Sequence, residues 1–252
     1  MQVCPSCGYQ NPDTAGFCSQ CGTKLAAKAV PRSATMFLQA EQLAQRHRLV
    51  VVRSGGVDGV SLVLPIGKAV MGRGEVQLRM DDAHMSPRHA EFTLRDDRLT
   101  VNDLQSSNGV FIRLHGETKL TAGDELRLGR QLLRFEALPA PEFTADSGRV
   151  WGSPNRSARF RVAQLLEGSG LGEALPIGEG EYLFGREEGG MTFPADPSVS
   201  RRHAVMTVSR TGVVVRDLES ANGTFLRLRE EMLLAPGDQL LIGMQQLRYD
   251  LG

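Results

Sequence analysis

Asp103-Leu104-Gln105-Ser106-Ser107-Asn108-Gly109-Val110-Phe111 is answered later in the chain by Asp217-Leu218-Glu219-Ser220-Ala221-Asn222-Gly223-Thr224-Phe225. Working outward, Ser86-Pro87-Arg88-His89-Ala90 returns as Ser200-Arg201-Arg202-His203-Ala204. Gly123-Asp124 and Leu128-Gly129 return as Gly237-Asp238 and Ile242-Gly243. All these matches lie 114 residues apart, whereas Gly72-Arg73 and Gly185-Arg186 are 113 apart, so the second copy carries one extra residue in the intervening loop. A register held over this length is an internal duplication. The chain contains two copies of one domain, over residues 47–138 and 159–252.

Each copy reads as β. His47-Arg48-Leu49-Val50-Val51-Val52-Arg53, Val60-Ser61-Leu62-Val63-Leu64 and Arg98-Leu99-Thr100-Val101-Asn102 are short apolar or alternating runs, as are Val213-Val214-Val215-Arg216 and Gln239-Leu240-Leu241-Ile242. Gly, Asp, Asn and Pro punctuate them at intervals of about ten residues. Many short strands with frequent turns predict a β-sandwich, and each copy is long enough to bury one sandwich core.

The 252 residues carry 29 Lys plus Arg against 29 Asp plus Glu, which argues against non-specific binding to nucleic acid or anionic membranes. With 41% hydrophobic and 23% charged residues the chain reads as globular rather than disordered. No apolar run approaches the roughly 18 residues of a membrane span. Met1-Gln2-Val3-Cys4 lacks the basic start and apolar core of a secretory signal, so the expected location is the cytoplasm. Residues 26–46 form a linker with a short helical pattern, and residues 139–158, with Pro139, Pro141, Gly148, Gly152 and Pro154, have the composition of a flexible tether around Trp151.

All four cysteines lie in residues 1–25, as Cys4-Pro5-Ser6-Cys7-Gly8 and Cys18-Ser19-Gln20-Cys21-Gly22. Two CxxC pairs supply four thiolates, the donor set of a structural zinc ion held tetrahedrally. Disulfides would need an oxidising compartment, and a redox CxxC needs a βαβ context that the surrounding residues lack. The segment resembles the small zinc ribbons at the N-termini of many prokaryotic multidomain proteins. One structural zinc ion is the expected cofactor.

The ordered set Gly-Arg, Ser-x-x-His and Asn-Gly, present twice at matching offsets, resembles the forkhead-associated (FHA) domain, a phosphothreonine-recognition module. The resemblance implies an all-β chain with two FHA-type β-sandwiches preceded by a small zinc ribbon. Its chemistry suits these residues. A phosphothreonine brings close to two negative charges and three acceptor oxygens, which call for an arginine fork, hydroxyl donors and free N–H groups on loops of a rigid scaffold. By resemblance the first copy would bind phosphopeptide through Arg73, Ser86, Ser107 and Asn108, and the second through Arg186, Ser200, Arg201 and Asn222. His89 and His203 would brace the loops as structural residues.

The copies depart from the family pattern in complementary ways. The first has Pro87 after its serine, without a donor, but keeps the Ser107 hydroxyl; the second has Arg201 but Ala221 in place of that hydroxyl. Glu187-Glu188 directly follow Arg186 and place acid near the expected phosphate. The second set is expected to be somewhat the better of the two. Ser86 with His89, or Ser200 with His203, makes a poor nucleophile–base pair, since residues three apart on a loop-to-strand segment seldom face each other and no orienting acid accompanies them. The expected function is a non-enzymatic adaptor that binds phosphothreonine-containing proteins of a Ser/Thr-kinase pathway. Two alternatives stay open. One is a phosphate-independent scaffold with decayed pockets. The other is a zinc-ribbon nucleic-acid regulator, disfavoured because Lys24 is the sole basic residue among residues 1–27.

Overall fold

The structure, a computed structural model, describes every residue except 13, 14, 16, 26–45, 54, 140–151, 153–156 and 169. The helical pattern expected within 26–46 and Trp151 of the expected tether lie outside the described residues. What is described is all-β. The ribbon carries β1 (Gln2–Val3) and β2 (Gln10–Asn11). The first repeat supplies β3 (His47–Arg53), β4 (Val57–Val63), β5 (Gly67–Gly72), β6 (Leu78–Arg79), β7 (Ala90–Arg95), β8 (Arg98–Asp103), β9 (Val110–Arg113), β10 (Glu117–Leu120), β11 (Glu125–Leu128) and β12 (Gln131–Ala137). The second repeat follows with β13 (Phe160–Leu165), β14 (Leu171–Ile177), β15 (Gly180–Gly185), β16 (Met191–Thr192), β17 (Ala204–Ser209), β18 (Gly212–Asp217), β19 (Thr224–Arg227), β20 (Met232–Leu234), β21 (Gln239–Ile242) and β22 (Gln245–Leu251). Among the described residues no helix is long and apolar enough to cross a membrane.

The strands alternate as a half-buried pleated surface should. Ala90, Phe92 and Leu94 of β7 are buried while their neighbours are not, and β17 repeats the pattern with Ala204, Met206 and Val208. Such alternation fixes which face of a strand turns inward. It does not fix which copy the strand joins, and here the two repeats exchange strands. β10 of the first repeat pairs with β18 of the second, and β20 of the second pairs with β8 of the first. β12 likewise pairs with β13, and β22 with β3. The central strands β9 and β19 pair with each other, so one ten-stranded sheet, ordered β14-β13-β12-β11-β19-β9-β21-β22-β3-β4, runs through both halves. A five-stranded sheet packs on each half, β20-β8-β7-β5-β6 on one and β10-β18-β17-β15-β16 on the other.

The contiguous spans 47–138 and 159–252 are thus repeats of sequence, while each packed sandwich is discontinuous. The first core joins Leu49, Met71, Phe92 and Val101 to Leu240, Ile242, Leu247 and Tyr249 from the far end of the chain. The second joins Leu120, Leu126, Leu133 and Phe135 to Val162, Phe184, Met206 and Val215. The reason is local. After β9 the chain continues along β19, where Leu114 N–H donates to Thr224 O, and Leu228 N–H reciprocally donates to Val110 O. Because matched strands carry matched patterns, the strand that follows finds an equally suitable face in the other half.

Two buried aspartates, 114 residues apart, pin the exchanged hairpins. Asp82 Oδ2 accepts from Met244 N at 2.8 Å and Gln245 Nε2 at 3.2 Å. Asp196 Oδ2 accepts from Arg130 N at 2.9 Å and Gln131 Nε2 at 2.7 Å. Burial pushes both carboxyls up, but these donors outweigh it and hold both below the ordinary carboxylate range.

Two outcomes follow from this architecture. A protease site inserted between residues 141 and 150 should, once cut, leave both pieces co-eluting in size-exclusion chromatography as one species that parts only in denaturant. Separation in native buffer would contradict the exchange. Since Asp82 and Asp196 are held below their unfolded-state values, their stabilisation is complete at neutral pH. It is lost as pH falls through their folded values, beneath about 4. Chemical denaturation at pH 7 and pH 3 should show Asp82→Asn/Asp196→Asn less stable than wild type at pH 7 but losing less stability on acidification.

Candidate functional site

At one end of each sandwich three loops from a single repeat converge. In the first they follow β5 (Arg73), precede β7 (Ser86 and His89) and join β8 to β9 (Ser106, Ser107 and Asn108). The last of these is closed by its own side chains. Ser106 Oγ donates to Asp103 Oδ1 at 2.5 Å and accepts from Gly109 N at 2.9 Å. Ser220 repeats this with Asp217 and Gly223, at 2.7 and 3.0 Å. Gln105 and Glu219 both take positive φ, 55° and 56°, so the two copies share this backbone strain. Gly109 and Gly223, at φ 79° and 82°, are required twice over. Their turn needs the left-handed region, and the space a Cβ would fill is taken by the guanidinium of Arg227 and Arg113, each from the opposite repeat.

The histidines tie the loops together from below. Ser86 N–H donates to His89 Nδ1 at 3.0 Å, so Nε2 carries the proton and donates to Gly109 O at 2.9 Å. His203 spans Ser200 N and Gly223 O in the same way, at 3.0 and 3.1 Å. Burial pushes His203 below its ordinary pKa, which keeps the ring in the neutral form that this bridge needs. Since each Nδ1 takes a main-chain N–H, neither ring is set to draw a proton from the neighbouring hydroxyl. Ser86 Oγ accepts from Ser107 N at 3.0 Å, and Ser200 Oγ from Ala221 N at 3.1 Å.

The structure therefore gathers Arg73, Ser86, Ser107 and Asn108 around one edge, and Arg186, Ser200, Arg201 and Asn222 around the other. Asn108 Nδ2 donates to His84 O at 2.7 Å and Asn222 Nδ2 to Ser198 O at 2.8 Å. Each amide staples the loop before it and leaves its Oδ1 to accept from a ligand N–H. The two arginine sets differ sharply. Arg73 is exposed and makes no ion pair among the described residues. Arg186 lies 3.1 Å from Glu187, and Arg201 lies 2.8 Å from Glu188 and 3.5 Å from Glu187. The expectation that the second set is the better prepared thus meets its own acidic pair, which already occupies both cations.

In the ribbon, Cys4 and Cys21 Sγ lie 3.6 Å apart, as do Cys7 and Cys18, and all four sulfurs fall within 4.8 Å of one another. A tetrahedron with metal–sulfur bonds of about 2.3 Å has edges of about 3.8 Å, so the thiolates fit a zinc-sized ion. N–H groups aim at the sulfurs, Ser6 N at Cys4 (3.4 Å) and Asn11 Nδ2 at Cys18 (3.5 Å), as the outer partners of thiolate ligands do. Burial pushes the Cys18 thiol up, but hydrogen bonds from the Gln20 backbone and the Asn11 side chain bring it down to about 6.

Sequence reasoning missed Asp82, Asp196 and the arginines beneath the Asn-Gly turns, although all obey the 114-residue register that revealed the loops. Comparison with known proteins agrees with the geometry. The FHA domain profile matches residues 69–129 and 182–243, and a zinc-ribbon domain profile matches residues 3–25. An oxoglutarate dehydrogenase inhibitor of Corynebacterium efficiens is 33% identical over 104 residues, 40% of this chain and 73% of its own length. The glycogen accumulation regulator GarA of Mycobacterium tuberculosis is 30% identical over 137 residues, 53% of this chain and 77% of its own length. A solved structure described as "Structural and functional analysis of phosphothreonine-dependent FHA domain interactions" aligns over 82% of this chain and 96% of its own, at 12% identity and a TM-score of 0.32. With two matched FHA units, each presenting the same braced loops, and a ribbon ahead of them, the chain belongs to the FHA-domain family.

Proposed function

We propose that the chain is a non-enzymatic adaptor that binds phosphothreonine segments of partner proteins in a Ser/Thr-kinase pathway. The observation that carries this reading is the convergence of Arg73, Ser86, Ser107 and Asn108 on loops held rigid by His89. The exposed Arg73 guanidinium and Ser107 hydroxyl, with the half-buried Ser86 hydroxyl beside them, supply charge-assisted donors for a phosphate, and Asn108 Oδ1 is free to accept from the peptide backbone. The ribbon takes one zinc ion through Cys4, Cys7, Cys18 and Cys21, as a structural element or a docking module. Its unpaired thiols suit the reducing cytoplasm, where the adaptor acts.

The first copy is the stronger reader. Exposed ion pairs such as Arg186–Glu187 and Arg201–Glu188 contribute at most about 1 kcal/mol each, and a hydrogen bond to a charged group about 1.5–3 kcal/mol. A phosphate therefore displaces the acidic pair at a cost, rather than being excluded by it.

Titration with a degenerate phosphothreonine peptide library, against phosphoserine and unphosphorylated controls, tests the assignment. Arg73→Ala should weaken phosphothreonine binding tenfold or more and Arg186→Ala less, while Glu187→Gln/Glu188→Gln should strengthen binding at the second copy severalfold. Equal binding of phosphorylated and unphosphorylated peptides would favour the phosphate-independent scaffold. For the ribbon, Cys18→Ser should abolish the one-to-one zinc content measured by metal analysis, yet leave the melting of the sandwiches unchanged.

A further inference from the structure

The exchange creates a surface that neither repeat makes alone. On the ten-stranded sheet, where β21, β22 and β3 meet the turn between β11 and β12, lies a groove of about 340 Å³. Its walls carry Arg53, Arg113, Arg127, Arg130 and Arg248, with no carboxylate among the described lining residues. Arg248 is paired with Asp58 and Asp250. The other four make no ion pair among the described residues. Arg113 reaches only the neutral Gln239, at 2.9 Å, and Arg127 only Gly129 O at 3.3 Å and Met244 Sδ at 3.4 Å.

This charge is absent from the matched position of the other half. Moving along the chain by 114 residues, Arg127 becomes Leu241 and Arg130 becomes Met244. The counterpart of Arg113 is Arg227, which pairs with Glu125 at 2.7 Å, and the counterpart of Glu125 is the neutral Gln239. Three differences at matched positions all leave positive charge on one side of the seam. Burial and the neighbouring Arg130 also hold Arg127 below its ordinary pKa, although Asp196 and Asp82 oppose this. Both aspartates are already taken by main-chain N–H groups. The groove gathers four arginines that make no ion pair among the described residues, Arg113 and Arg127 half-buried and Arg53 and Arg130 exposed, a concentration of positive charge that favours an anion. It opens beside Ser198, Ala221 and Asn222, the loops of the second copy.

We infer that this groove binds a second anionic group, a carboxylate or a phosphate, on the same peptide segment that engages the loops of the second copy. The inference rests on the reading of that copy as a phosphopeptide reader. It gives the second copy a different preference from the first: a doubly anionic segment, whose extra charge offsets the acidic pair over Arg186 and Arg201.

The test uses the full chain carrying Arg73→Ala, so that the second copy alone reads. Three sets of phosphothreonine peptides are compared by calorimetry: neutral flanks, an aspartate scanned along the flanks, and a second phosphothreonine scanned likewise. Each set is measured with the native groove and with Arg127→Leu/Arg130→Met. These replacements install the residues of the matched half, and Arg130→Met alone serves if the double variant melts early. At the best-placed position, the added aspartate or phosphate should strengthen binding about tenfold with the native groove. The variant should lose that gain and bind the neutral peptides within about twofold of the native groove. A gain from phosphate alone or aspartate alone identifies which anion the groove takes and supports the inference in either case. Neutral peptides that bind with no gain from any added charge, or a gain unchanged in the variant, overturn the groove and leave the second copy a reader. No phosphothreonine binding in any form overturns the groove together with the reading of the second copy.

Discussion

β9 and β19 lie side by side in the middle of the ten-stranded sheet, with Ile112 facing Leu226. From that pairing the rest follows. Each strand continues along the other instead of folding back, so the chain crosses at Arg113–Glu117 and returns at Arg227–Met232. Everything downstream of each crossing is committed to the opposite half. Exchanged and unexchanged arrangements of such a duplication make nearly the same intra-sandwich contacts, so the balance is set by the crossing segments and the new interface. Here that interface includes the β9–β19 ladder, the Arg227–Glu125 pair and the arginines that fill the space beneath Gly109 and Gly223.

The same contact joins the fold to the site. Each candidate binding turn is made by one repeat and supported from beneath by an arginine of the other. The rigidity that a pocket for a charged ligand requires is thereby shared between the halves. The loops themselves are redundant in their bracing: serine to aspartate, histidine across to a glycine carbonyl, asparagine to the preceding loop. With main-chain groups fixed by these side chains, Arg73 and the Ser107 hydroxyl of the first copy stay exposed, while Arg186 and Arg201 of the second are paired with Glu187 and Glu188.

Much of this was legible in the sequence, and the limit has a physical cause. The β class, the duplication, the loop residues and the ribbon are encoded locally. A left-handed glycine, a Ser-x-x-His or a CxxC pair each states a geometric need within a few residues. Strand exchange is not encoded in that way. Alternation in β10 specifies an inward face, and in a duplicated chain two equivalent cores offer to receive it. Nor could the ion pairing of the second arginine set be read in full from residue types alone. The sequence puts Glu187 and Glu188 beside Arg186, but only the structure pairs them with Arg201 as well, and Arg127 is conspicuous only once aligned with Leu241.

The discontinuous first core has a consequence for synthesis. Domains usually fold in the order in which they leave the ribosome, N-terminal first. In this chain Leu49, Phe92 and Val101 reach their native cover only once Leu240, Leu247 and Tyr249 of the second repeat have been translated. β8 and β3 meanwhile present unpaired edges, the feature that invites pairing with other nascent chains. The sandwich begun by the first repeat is completed only by strands of the second, so its edges stay open while the second repeat is made.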